Sequence, residues 1–427
     1  MNSALRVGYE GAALLARALA AYAPAQGGKV ARSFAARRGV LPRFEAFARD
    51  SARPLLWMHA PSVGEGLQAR PVIDLVRERD DRVQLAYTYF SPSAREFAAR
   101  LRVDFRDVLP FDATHDMRAV LAALSPTALV FSKLDVWPTL AREAAKRGTR
   151  LGLISATLAR GSSRRRGLAG ALLRSTYARL DRVGAISADD ADRLIALGVP
   201  SSRVTITGDT RYDQVWARAR RVDRGSTLLH SLSASRPTLV AGSTWPTDDA
   251  VLLPAWSRVR ARVPGARLII APHEPTVAHL ASIERWALGE GVSLARLGTT
   301  GEQTADVILV DRVGVLGDLY ALATAAFVGG GFHAAGLHSV LEPAAFGAPV
   351  VFGPRHEASR DATLLMDDDA AMRVLDGAGL LVALERWLGS ASDRAAAGDA
   401  ALRVVHRGLG AAERSYRLVR ELLGQEA

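Results

Sequence analysis

No cysteine occurs in the 427 residues. That absence excludes disulfides, thiolate catalysis and cysteine-built zinc sites, and it agrees with a reducing compartment. Lysine is scarce as well. Lys29, Lys133 and Lys146 are the only three, so arginine carries almost all the positive charge behind a formal net charge of +11. Long apolar runs are missing too. Residues 1–23 contain Leu5, Val7, Leu14, Leu15 and Leu19, but Arg6, Glu10 and Arg17 interrupt them. No stretch of about 20 apolar residues is left to cross a bilayer. The same Glu10 and Arg17 argue against a signal peptide ending at Ala23-Pro24-Ala25. A helix over this stretch either packs on its domain or lies in a membrane interface. The densest basic cluster, Arg164-Arg165-Arg166, lacks interleaved aromatics, which argues against nucleic acid as a partner. The arginine excess reflects either codon preference or attraction to anions such as nucleotide phosphates, an acidic sugar or phosphorylated lipid.

What is present is a long α/β alternation. Apolar strand patterns fall at 55–60, 83–89, 107–109, 128–131, 151–155, 182–186 and 204–207, with helical patterns such as 113–123 and 139–147 between them. A charged run over 216–235 suits a connection, and a second series follows at 238–241, 267–271, 307–310, 326–328 and 350–352. This spacing predicts parallel sheets covered by helices, in two consecutive halves with a cleft between them. The helix at 411–423 carries Leu418, Leu422 and Leu423 on one side.

The stretch 327–353 organises the second half. Phe327-Val328 ends in Gly329-Gly330-Gly331, a helix is expected from about Ser339, and a strand follows Pro349. Glycines let backbone amides approach a phosphate, and a following helix adds positive partial charge. Ser339 is a candidate cap, and Glu342 in the first turn is a candidate acceptor for ribose hydroxyls. A tight turn without any ligand has the same pattern.

Several polar residues follow strand ends. Glu65, after Pro61-Ser62-Val63-Gly64, is placed either as a general base toward an acceptor hydroxyl or as a helix-start carboxylate that only favours the dipole. Lys133 and Asp135 either pair with each other or meet substrate. Arg211 either binds a phosphate or carboxylate or pairs with Asp209 or Asp213. Gly242, Ser243 and Thr244, and Pro272 and His273, form turns suited to a base or phosphate. His273, His333, His338 and His356 have no tight ligand spacing, so metal binding is not expected.

Taken together, these stretches resemble the 3-deoxy-D-manno-octulosonic acid (Kdo) transferases of Gram-negative lipopolysaccharide assembly, inverting glycosyltransferases of the GT-B fold. The ordered set is His59-Ala60-Pro61-Ser62-Val63-Gly64-Glu65, Phe90-Ser91-Pro92-Ser93, Leu109-Pro110-Phe111-Asp112, Gly208-Asp209-Thr210-Arg211-Tyr212-Asp213, Gly242-Ser243-Thr244-Trp245-Pro246, Ala271-Pro272-His273-Glu274 and the 327–353 stretch. The resemblance implies two Rossmann-like domains facing across a cleft, with the C-terminal helix returning to the first. It implies an amphipathic, membrane-associating helix within 1–25, an acceptor domain over 26–215, a connection over 216–235 and a CMP-sugar-binding domain over 236–427.

It also implies Glu65 as general base, with Arg211 standing where many members carry lysine. Lys133 and Asp135 fall where the family carries a Glu-x-Glu-x-Trp-Pro motif, so lysine replaces one glutamate and Asp135 keeps the other negative charge. The implied CMP contacts are Pro272, His273, Val313, Gly314, Val315, Ser339, Val340, Leu341 and Glu342, with Gly242, Ser243, Thr244, Gly330 and Gly331 as further donor-side candidates. Many members carry Glu at the position of Val315 and Asn at that of Ser339. The implied reaction moves Kdo from CMP-Kdo to a lipid A precursor without metal or cofactor. It takes place at the cytoplasmic face of the inner membrane, on which the protein is peripheral or monotopic. The rival readings are a GT-B enzyme using another nucleotide sugar, such as a UDP-sugar transferase or epimerase, and an inactive membrane-surface scaffold.

Overall fold

The computed structural model of the protein describes residues 3–24, 26–159, 161–162, 164, 167–233 and 236–425. Ala25, Arg165, Arg166 and residues 234 and 235 of the expected connection lie outside them, as does the side chain of Lys29. The chain divides into two compact units, residues 1–214 with 408–427 and residues 215–407.

The first unit is built on β1 (Leu55–His59), β2 (Gln84–Tyr89), β3 (Phe105–Val108), β4 (Ala128–Ser132), β5 (Arg150–Ala156), β6 (Arg182–Ala185) and β7 (Val204–Ile206). Their order is β3-β2-β1-β4-β5-β6-β7, and every pairing is parallel. Leu55, Leu56, Trp57 and Met58 are all fully buried, as an unalternating apolar run in a sheet covered on both faces requires. Strand order reverses between β1 and β4, which opens a crevice beyond their carboxyl ends.

The N-terminal helix (Ser3–Tyr22) docks through its polar side. The Tyr9 hydroxyl donates to Asp112 at 2.8 Å, and Glu10 accepts from the Thr114 amide at 2.6 Å and its hydroxyl at 2.7 Å. Arg17 pairs with Asp116 at 3.0 Å. Its apolar side faces outward, with Val7 67%, Leu15 62% and Leu19 51% exposed. Asp112 also accepts from the Thr139 and Leu140 amides at 2.8 Å each, at the start of the Pro138–Lys146 helix. Burial outweighs these donors and pushes its carboxyl up to about 7.

As the resemblance implies, the C-terminal helix (Ala411–Leu423) returns to the first unit. Leu422 packs on β5 at Gly152, where an added Cβ would come within 2.4 Å of its Cδ1. Asp213 accepts from the Gly410 and Ala412 amides at 2.8 Å each and so anchors the start of this helix.

The second unit carries β8 (Thr238–Thr244), β9 (Arg267–Pro272), β10 (Leu294–Arg296), β11 (Val307–Leu309), β12 (Ala325–Val328), β13 (Val350–Phe352) and β14 (Ala371–Arg373). Their order is β10-β11-β9-β8-β12-β13-β14, again wholly parallel, with the reversal between β8 and β12. The charged run after Trp216 packs within this unit: Trp216 meets His406 edge-to-face at 4.5 Å, and Arg218 pairs with Asp318 at 3.0 Å. Trp256 and Trp387 fill the core.

One expected element differs. The helix expected from Ser339 is a single turn, Leu341–Ala344, with Val340 at its N-cap and no side-chain cap. Gly347 at φ +74 and Pro349 end it at once, because a left-handed residue and a proline cannot continue a helix.

Candidate functional site

In the first unit, β1 runs out at His59, and Ser62 begins the helix Val63–Arg79, which puts Glu65 in its first turn. Glu65 is 17% exposed. Its carboxylate accepts a short hydrogen bond from the Ser62 hydroxyl, and Lys133 Nζ lies 3.3 Å from Oε1. Burial pushes the carboxyl up, but Ser62 and Lys133 outweigh it and hold it below the usual glutamate value. The helix is pinned to its neighbour strand by the Ser132 hydroxyl, which donates to the Glu65 carbonyl at 3.0 Å.

Lys133 is the first residue beyond β4 and has φ +70. Its amide donates to Ile154 of β5 at 2.9 Å, which holds that left-handed conformation. Ser155 at φ +48 and Ser243 at φ +55 are two further non-glycine residues of this kind, both near the ends of central strands. Strain at strand ends beside a crevice is a common mark of functional loops.

Lys133 and Asp135 do not pair with each other. Asp135 turns to Arg164, whose Nη1 also donates to the Leu134 carbonyl at 3.1 Å. Arg211 resolves in favour of Asp209, with Nε at 2.9 Å and Nη2 at 2.7 Å from Oδ2. Burial raises Asp209, yet Arg211 outweighs it and keeps the carboxyl low. Gln68, one turn beyond Glu65, donates to Asp209 at 3.2 Å, and Thr210 donates to the Gln68 carbonyl at 2.6 Å. The Glu65 helix is thus tied to the Arg211 loop as well as to β4.

Sequence reasoning did not assign roles to Ser62 and Gln68, and it named Asp209 only as a candidate partner of Arg211. Ser62 had a signal: Ser-x-x-Glu at a helix start is the capping-box pattern, although here the serine donates to the glutamate side chain. His59 was quoted only as part of a motif. It is buried, accepts from Trp137 Nε1 at 2.9 Å and contacts Thr88 Oγ1 at 2.8 Å through Nδ1. Burial brings it down to about 3, so it stays neutral at the end of β1.

In the second unit, the glycine triplet forms a tight turn, one of the two alternatives that its sequence left open, and the protein itself takes up part of its amides. The Gly330 amide donates to Asp248 at 2.7 Å and that of Phe332 at 3.0 Å, while the Trp245 amide reaches the same carboxylate at 2.9 Å. Asp248 is fully buried. The glycines are needed for close backbone packing. An added Cβ would meet Ser243 O at 2.2 Å from Gly329, Gly336 O at 2.1 Å from Gly330 and Gly353 N at 2.4 Å from Gly331. A side chain of the protein itself therefore occupies the Gly330 amide.

The ends of β8, β9 and β12 are instead lined by rings. Trp245 stacks on His333 at 4.1 Å and on His273 at 4.8 Å, and His273 stacks on His338 at 4.3 Å. Trp245 Nε1 donates to His338 Nε2 at 3.1 Å. Burial, then the neighbouring histidines, bring His338 down to about 4. Among the described residues, no three potential metal ligands converge. His356 turns to the Pro354 carbonyl at 2.9 Å.

The other donor-side candidates fall at the same strand ends. Pro272 closes β9, and the His273 amide donates to Thr244 at 2.9 Å. Gly242 lies against Tyr320, whose hydroxyl would come within 2.1 Å of an added Cβ. Val313 is 75% exposed, Gly314 has φ +94 and Val315 starts a turn at Leu316–Leu319. Ser339 is exposed, while Val340 and Leu341 are buried. Glu342 is partly buried, and burial raises its carboxyl against the pull of Arg218.

Known proteins match the first unit alone in one case and most of the chain in the others. A family profile described as 3-deoxy-D-manno-octulosonic-acid transferase (kdotransferase) matches residues 32–214. The 3-deoxy-D-manno-octulosonic acid transferase of Bordetella pertussis is 30% identical over 399 residues, covering 88% of this chain and 91% of that protein. Its namesake from Haemophilus influenzae is 26% identical over 405 residues, covering 91% and 92%. Among solved structures, UDP-GlcNAc 2-epimerase from Neisseria meningitidis, bound to UDP-GlcNAc, superposes with a TM-score of 0.63 at 13% identity, covering 87% of this chain and 99% of that one. A glycosyltransferase from Rickettsia africae gives 0.59 at 9% identity, covering 87% and 99%. At such identities the structural likeness shows the fold alone, two Rossmann-like units of the GT-B class.

Proposed function

Since the chain belongs to the 3-deoxy-D-manno-octulosonic acid transferase family, we propose that it transfers Kdo, with inversion, from CMP-Kdo to a hydroxyl of a lipid A precursor, with Glu65 as general base. The observation that carries this reading is the Glu65 carboxylate, held at the β1/β4 reversal by Ser62 and Lys133 and kept ionised at neutral pH. An ionised carboxylate can take the proton as the acceptor oxygen attacks the anomeric carbon opposite the departing cytidylate. Lys133 sets a positive charge beside the base, which suits a donor sugar that itself carries a carboxylate.

The cytidylate is assigned to the second unit, at Pro272 and His273, the 313–315 turn and the amides of 339–342. The first amides of a helical turn have no acceptor within it and are available to a ligand. Arg211 supports negative charge on the departing phosphate, with Asp209 fixing its position. Stabilisation of this kind is commonly worth several kcal/mol. No step requires a metal, so transfer should persist in a chelator.

The protein works at a membrane surface, on the cytoplasmic face of the inner membrane. No helix among the described residues is long and apolar enough to cross a membrane. The outward apolar side of the N-terminal helix supports an interfacial placement: Val7, Leu14, Leu15, Leu19 and Tyr22 are all exposed.

The test is incubation with CMP-Kdo and a lipid A precursor, followed by mass analysis of the lipid. Added Kdo that disappears in a folded Glu65→Gln variant supports the reading. Turnover of a UDP-sugar with none of CMP-Kdo overturns the donor, and undiminished transfer by Glu65→Gln overturns the base.

A further inference from the structure

A pocket of about 430 Å³ lies between the N-terminal helix, the Thr114–Leu124 helix and the Pro138–Lys146 helix. At its base is Glu143, 4% exposed, which gathers Arg118 at 2.8 Å, Arg142 at 2.9 Å and Lys146 at 2.8 Å. One carboxylate cannot neutralise three cations. Arg6 adds a fourth at the rim and has no partner among the described residues. The only other acid in the wall, Glu10, is engaged by Thr114. The pocket therefore holds two positive charges in excess.

Hydrogen-bonding capacity is also left over. Arg118 and Lys146 are 56% and 55% exposed, and each gives one donor to Glu143. A guanidinium has five donors and an ammonium three, so both can meet an incoming anion. Opposite these cations, the wall is Val7 and Leu14, and the same helix continues outward through Leu15 and Leu19. A free anion has no use for that apolar wall, and an uncharged lipid has none for the cations. The chemistry that meets both is an anionic amphiphile.

The pocket is separate from the Glu65 site. Lys133 precedes the start of the Pro138–Lys146 helix, and Lys146 is at its far end. Nine helical residues span about 13 Å.

We propose that this pocket binds the phosphate headgroup of an anionic phospholipid, seating the protein on the bilayer with the apolar side of its N-terminal helix in the acyl boundary. The proposal rests on the membrane-surface part of the reading above and is independent of the transfer reaction.

Co-sedimentation of the full chain with phosphatidylcholine vesicles, with and without phosphatidylglycerol, tests it. The expected result is tighter binding to the anionic vesicles, weakened about tenfold or more by Arg118→Gln with Lys146→Gln. Binding to pure phosphatidylcholine should not change in that variant. Arg6→Gln, which breaks no contact within the protein, should show part of the loss. Equal loss from Arg82→Gln with Arg100→Gln, two arginines outside the pocket, would mean that net charge alone acts and overturns the proposal. So would calorimetric binding of inorganic phosphate, abolished by Arg118→Gln with Lys146→Gln, without any preference for anionic vesicles. Failure of the wild type to bind either kind of vesicle removes the membrane-surface reading and this proposal together, whereas vesicle binding that ignores the pocket variants removes the proposal alone.

Discussion

Lys133, left-handed at φ +70, places its ammonium 3.3 Å from the Glu65 carboxylate. The resemblance implies a glutamate at that position, and a second carboxylate there would push the Glu65 pKa up, where lysine pulls it down.

Lys133→Gln should therefore move the acid limb of the pH profile. With Glu65 as the proposed base, transfer needs its ionised form and should be lost as pH falls through its pKa. Removing the cation raises that pKa, so the loss should begin at a higher pH. Lys133→Gly, which adopts φ +70 without strain, should shift it the same way. The profile of kcat/KM against pH checks this, and an unmoved acid limb would detach Lys133 from the base.

Asp248→Asn should destabilise the second unit by about 3 kcal/mol. The carboxylate accepts from Trp245, Gly330 and Phe332 amides, and an asparagine has one acceptor oxygen for three donors. Urea unfolding measures the loss.

Asp112 gives stability a pH dependence of definite sign. Its carboxyl stands at about 7 in the folded chain and at about 3.9 when unfolded. The folded state therefore binds the proton more tightly between these values, and stability falls as pH rises from about 4 to about 7. Asp112→Asn should flatten that slope. Tyr9→Phe removes a donor to the carboxylate, raises its pKa further and costs about 1 kcal/mol. Faster amide exchange in the N-terminal helix would report the same change.

Gly330→Ala and Gly314→Ala separate strain from packing. Both glycines have positive φ, +90 and +94. Only at Gly330 would the new Cβ meet backbone, Gly336 O at 2.1 Å, whereas nothing lies within 4 Å at Gly314. Gly314→Ala should cost about 1 kcal/mol and leave the fold intact. Gly330→Ala should cost several times more or prevent soluble expression. Thermal unfolding of the pair decides it.

Both sheets could be read from the chain because their strands contain unbroken apolar runs, such as 55–58 and 268–271, separated by helical spacing. β10 and β14 escaped notice since each is a three-residue edge strand with only one buried residue, Ala295 and Ala371. Glu65, Lys133 and Arg211 were visible as charges just after strand ends, which is where an α/β sheet presents them. Asp209 was legible as a partner of Arg211, two residues away, but the partners of the others were not. Lys133 reaches Glu65 across β1 and β4, and Asp135 reaches Arg164 across a loop, pairings set by strand order and invisible in local spacing. The carboxylate that the glycine loop binds was hidden for the same reason. Asp248 lies more than eighty residues earlier, and only β8 beside β12 brings it to the loop.

The Asp213 carboxylate that anchors the helix at 411–423 has a consequence for biosynthesis. The sheet beneath the Glu65 helix stays uncovered at β5 until the 411–423 helix leaves the ribosome, and that happens only once residues 215–407 have all been made. A nascent chain must therefore keep Gly152 and its apolar neighbours from aggregating through most of translation. A premature stop before codon 411 should leave β5 bare and destabilise the unit that carries Glu65, a residue translated far earlier.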